Sequence, residues 1–146
     1  MNSTASFQRL IGQTEKTLNA ILVRLLAGAV SEPEWVALVL VAGSGAAASG
    51  DEVTAQVARA LKSDQQAAAG HIGNLRAKGF VRIEPGPGAP ISLTAAGRQL
   101  LSRVQDQVGE TTERLWGDLP AADMDICRRV LGTVLERAEA ELSAAA

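Results

Sequence analysis

The chain has 146 residues, with 14 basic and 16 acidic side chains for a formal net charge of −2, and it contains one cysteine, one histidine and no tyrosine. That length suits a single domain with a real core, burying roughly 68–70% of its unfolded surface. A lone Cys127 excludes an internal disulfide framework, and one histidine with one cysteine cannot build a His/Cys zinc site. Aromatic residues make up only 3% against 26 alanines, so the core is expected to consist of thin, closely packed helices.

Charge is unevenly spread. Residues 50–98 carry six basic and four acidic groups, whereas residues 99–146 carry five basic and nine acidic ones. The middle is mildly basic and the tail acidic, a weak footprint for nucleic acid rather than a basic stripe. The N-terminus lacks the charged and apolar regions of a signal peptide. The longest apolar run, Trp35 to Ala42, has eight residues against the roughly 20 that span a bilayer. The expectation is a cytoplasmic protein without a membrane segment.

From Phe7 to Leu26, apolar residues recur at spacings of three and four (Leu10, Ile11, Leu18, Ile21, Leu22, Leu25), which predicts an amphipathic helix ending near Gly28. Ser31-Glu32-Pro33-Glu34 matches a capping box, with a helix expected through about Ala42. Val36, Val39 and Val41 leave a buried strand open there. Gly43 to Gly50 reads as a linker. Gly43-Ser44-Gly45 imitates a phosphate-cradling loop, but Gly50 follows too late and no parallel βαβ unit comes after it.

Asp51 to Leu61 is expected to be a short helix burying Val53, Val57, Ala58 and Leu61. Lys62-Ser63-Asp64 makes a turn with a cap. Gln65 to Lys78 is a second helix with Ala68, Ile72 and Leu75 inward, closed by a left-handed Gly79. Phe80–Glu84 and Ile91–Leu93 read as two short strands joined by Pro85 to Pro90. Thr94 caps a long helix carrying Leu100, Leu101, Val104, Val108 and Leu115, and Pro120 opens the last one. Two helices packed across a short turn, followed by a hairpin, can place the second helix in a DNA major groove while the hairpin follows the backbone.

At Leu75-Arg76-Ala77-Lys78-Gly79-Phe80-Val81, and again at Leu93-Thr94-Ala95-Ala96-Gly97, the sequence resembles the MarR family of bacterial transcriptional regulators. The order of the flanking helices extends that resemblance over nearly the whole chain. It implies a mainly α fold with a small β-wing, a winged helix-turn-helix lobe (32–94) between N- and C-terminal dimerisation helices (7–28 and 95–142). It further implies a homodimer on double-stranded DNA with an inverted-repeat operator, and a small aromatic or apolar effector. The sequence offers no nucleophile–base pair, paired acid site or metal cluster, so no cofactor and no enzymatic activity are expected. Gln65, Gln66 and Asn74 would then contact bases, with Ser63, Arg76, Arg82 and Arg98 on phosphates. Gly70 would lie on the reading face and Trp35 and Trp116 would line an effector pocket.

Three departures stand beside the resemblance. Positions where that family commonly has Ser/Thr and Arg are here Ala67, Ala69 and Gly70. The wing lacks the family's Asp-x-Arg pattern, and its tip from Pro85 to Pro90 is uncharged. Those features keep a second reading open: a dimeric winged-helix module for ligand or protein binding with weak DNA binding. His71 reads as a half-buried helix residue. Cys127 reads as a small residue of the last helix, with a reactive thiol as the alternative.

Overall fold

The computed structural model describes residues 3–145 and contains six helices and one two-stranded sheet. The helices are α1 (Ser3–Leu26), α2 (Glu32–Gly43), α3 (Gly50–Leu61), α4 (Gln65–Ala77), α5 (Ala95–Trp116) and α6 (Ala121–Ala144). The strands β1 (Val81–Ile83) and β2 (Ile91–Leu93) lie between α4 and α5 and pair antiparallel, Val81 opposite Leu93 and Ile83 opposite Ile91.

Two compact units are present, one running through Val108 and one starting at Gly109. In the first, α2, α3 and α4 pack on one another, α2 also touches β2, and α4 leads onto β1. Leu38, Val53, Val57, Ala68, Leu75 and Val104 are sealed at its centre, joined by Leu26 from the end of α1 and Ile91 from the wing. Small residues such as Ala37 and Ala68, both fully buried, let these helices approach closely.

Local signals explain the boundaries. Ala27 and Gly28 adopt left-handed backbone (φ 51° and 77°) and stop α1. The Ser31 capping box forms, with Glu34 N–H donating to Ser31 Oγ and the Ser31 N–H to Glu34 Oε2. This fixes α2 as a helix despite its valines. The phosphate-loop imitation therefore fails at its first requirement, a strand. A second capping box, Ser49 with Glu52, starts α3 inside the stretch expected to be linker.

Asp64 caps α4 by accepting from the Ala67 N–H at 2.7 Å. At its other end Gly79 is left-handed (φ 79°) and the Phe80 N–H donates to Leu75 O. Thr94 Oγ1 accepts from the Gly97 N–H and donates to Gly79 O, tying the start of α5 to the end of α4. Gly97 is buried there, and a Cβ at that position would collide with the Phe80 carbonyl. The Leu-Thr-x-x-Gly junction thus has a steric reason.

In the second unit, the last turns of α5 pass through Gly117 into α6, which starts at Pro120 without a side-chain cap. No residue of α6 is buried, and Ile126, Val130, Leu131, Val134, Leu135 and Leu142 are exposed. On α1 only Leu26 is buried, and Phe7, Leu10 and Ile11 are open. No described helix is long and apolar enough to cross a membrane.

Candidate nucleic-acid interface

Burying Ala68, Ile72 and Leu75 turns the opposite face of α4 outward. Gln65, Gln66, Ala67, Ala69, Gly70, Gly73, Asn74 and Arg76 are exposed. Gly70 and Gly73 are helical, and an added Cβ at either would meet nothing within 4 Å. Glycine in a helix costs about 1 kcal/mol relative to alanine, and packing within this chain does not offset it.

Between α4 and the wing runs an open groove of about 280 Å³. Ala69, Gly73 and Arg76 of α4 and Gly86 to Ala89 of the wing line it, together with Asp51 and Thr54 of α3. The wing is braced from behind. The Gly50 N–H donates to Ala89 O, the Ile91 N–H donates to Ala48 O, and Ser49 forms a β-bridge with Pro90. The hairpin is therefore held by a third piece of chain, Ala48 to Gly50, at the end of the stretch whose composition is that of a linker.

The expected phosphate contacts differ in freedom. Arg76 is exposed and faces the groove. Arg82 Nε pairs with Glu84 at 3.0 Å, both side chains well exposed, a contact worth at most about 1 kcal/mol. Arg98 Nη1 donates to Leu93 O at 3.0 Å, so its guanidinium lies against the base of the wing. Ser63 is half-buried in the turn before α4.

Asn74 is exposed and is also held from within the chain. Its Nδ2 donates to Glu34 Oε1 at 3.1 Å, and Lys78 Nζ donates to Glu34 Oε2 at 2.6 Å. The Glu34 side chain is only 6% exposed. Burial alone would raise its pKa. The bonds from Lys78 and the Ser31 N–H, the Lys78 charge and the Asn74 bond outweigh that, holding the carboxyl below its ordinary value. Sequence reasoning found Glu34 as a cap and missed this second set of partners.

Trp35 belongs to the sealed core, and Trp116 is exposed in the last turn of α5. Neither lines the second opening, a cavity of about 390 Å³ bounded by Ala29, Phe80, Ala96, Gln99, Leu100 and Arg103. His71 is half-buried and Cys127 exposed.

A helix pair across a capped turn, followed by a braced two-stranded wing, defines a winged helix-turn-helix protein. Solved structures place it further. A MarR family transcription regulator matches with a TM-score of 0.75 at 14% identity, over 99% of this chain and 97% of its own. A mutant of MarR from E. coli complexed with operator DNA matches with a TM-score of 0.71 at 20% identity, over 92% and 96%. CouR from Rhodococcus jostii RHA1, bound to p-coumaroyl-CoA, matches with a TM-score of 0.69 at 18% identity, over 86% and 88%. The fold is that of the MarR-family transcription regulators, along nearly the whole chain, as the residues around Gly79 and Gly97 led us to expect. No protein-family model and no curated protein matches the sequence.

Proposed function

We propose that this protein is a dimeric, DNA-binding transcription regulator that acts from the cytoplasm on an inverted-repeat operator. The observation that carries the reading is the open face of α4 set beside a braced wing, in a fold shared with a regulator solved on operator DNA. Gln65 and Gln66 would read base edges, where a bidentate amide–adenine pair contributes roughly 1–3 kcal/mol of discrimination. Ser63, Arg76, Arg82 and Arg98 would position the lobe on phosphates, and Gly70 would let the helix backbone come close. Asn74 would join the two glutamines through the part of its amide that the bond to Glu34 leaves open.

The exposed apolar residues of α1 and α6 support homodimerisation, because one subunit leaves them in water. An effector fits the same reading, since CouR carries an acyl-CoA. With Trp35 sealed in the core, the cavity beside Phe80, Leu100 and Arg103 is favoured for that ligand. An effector acts on DNA affinity only through its differential affinity for the two lobe spacings.

Binding to duplexes from the gene's own upstream region, measured across salt concentrations, tests the proposal. We expect a sequence preference and a shallow dependence. Three arginines per subunit, six in a dimer, give a log–log slope of about −5.4. Absence of any preference at low salt would instead support the ligand- or protein-binding module, which the uncharged wing tip and the Ala/Gly face of α4 favour.

A further inference from the structure

Glu34 makes more bonds than a cap requires. Closing the capping box of α2 takes one bond to its carboxylate, from the Ser31 N–H at 3.1 Å. The equivalent glutamate of α3, Glu52, does the same for Ser49 while exposed to solvent. Burial is therefore no part of capping in this chain. The additional bonds of Glu34 run to another helix, from Asn74 at 3.1 Å and Lys78 at 2.6 Å. Both partners lie at the C-terminal end of α4, immediately before the left-handed Gly79 that turns the chain toward the wing. Two donors from successive turns, held on the two oxygens of one planar carboxylate, fix both the rotation and the tilt of that end of α4 against α2.

We infer that Glu34 is a positioning residue for the recognition helix. By clasping Asn74 and Lys78 it sets the angle at which α4 presents Gln65 and Gln66. The inference rests on the DNA-binding reading above.

The probe is a duplex selected by the wild-type protein from a random-sequence pool, with a scrambled duplex of equal composition as control. Glu34→Gln keeps the side-chain shape and an acceptor for Ser31 but removes the charge that holds Lys78. Well below the melting temperature of each protein, the ratio of selected to scrambled affinity falls about tenfold in Glu34→Gln, as expected for residues sharing one network. The matched change on α3, Glu52→Gln, leaves the ratio unchanged. Lys78→Met lowers it as Glu34→Gln does, and the double variant loses no more than the larger single one.

A folded Glu34→Gln protein with the wild-type ratio overturns the inference and leaves the DNA-binding reading intact. If Glu34→Gln does not fold, Lys78→Met decides. A mere phosphate contact at Lys78 would weaken both duplexes equally and leave the ratio unmoved, which also overturns the inference. A wild-type protein that selects no duplex overturns both the inference and the reading beneath it.

Discussion

A carboxylate taken out of water persists in its charged form only where donors meet its oxygens. At Glu34 those donors come from Ser31, Asn74 and Lys78. Because the folded pKa lies below the ordinary value of 4.5, the linked stability is fully present above that pH and is lost as pH falls through the folded pKa. Acid unfolding followed by circular dichroism should therefore begin at higher pH in wild type than in a Glu34→Gln variant, once each is referred to its own stability at pH 7. Equal acid sensitivity would mean that the carboxyl gains nothing from its partners. The residue was half legible in the sequence. Ser31 and Glu34 stand three positions apart, and a local rule connects them. Asn74 lies 40 positions further on, and only packing of α4 on α2 brings it into reach. Gly70 and Gly73 were legible as oddities, and the structure adds that nothing inside the chain requires them.

Among the elements, α2 was ambiguous because Val36, Val39 and Val41 favour strand while Ser31 and Pro33 favour a helix start. The cap decided it, and burial of Trp35, Leu38 and Val41 at helical spacing followed. The wing was legible as a hairpin, but its brace was not. Ser49-Gly50-Asp51-Glu52 carries the same capping signature as Ser31 to Glu34, hidden by the Gly/Ala/Ser run before it. The bridge from Ser49 to Pro90 is a pairing that no local pattern announces. The junction of α4, wing and α5 rests on Gly97 against the Phe80 carbonyl. We expect Gly97→Ala to force that backbone apart at a cost of roughly 1–3 kcal/mol. Thermal unfolding should then move down by roughly 2–4 °C per kcal/mol. An unchanged melting temperature would show that the junction yields without strain.

For the whole molecule, the uneven charge proved more informative than the net value of −2. The acidic excess after residue 99 belongs to α5, α6 and the turn between them, outside the stretch that forms the helix pair and the wing. Those helices also keep a long apolar row uncovered, including Leu131, Val134 and Leu135. If a second copy covers it, folding and association are linked, and the melting temperature should rise with protein concentration. Leu135→Glu should abolish that dependence and give a monomer by light scattering. A wild-type monomer at every concentration would remove the dimer from the proposal.

The uncharged wing tip, Pro85 to Pro90, also bears on life inside a genome. A regulator searching for one site must escape roughly a million or more competing stretches of ordinary DNA, and it is retained on them almost entirely by its cations. On the proposed reading, with no charge at the tip and few cations beside it, those decoys would hold this chain only briefly. More of its copies would then stay free in solution, and operator occupancy would follow the number of molecules in the cell more directly than it does for a strongly basic wing.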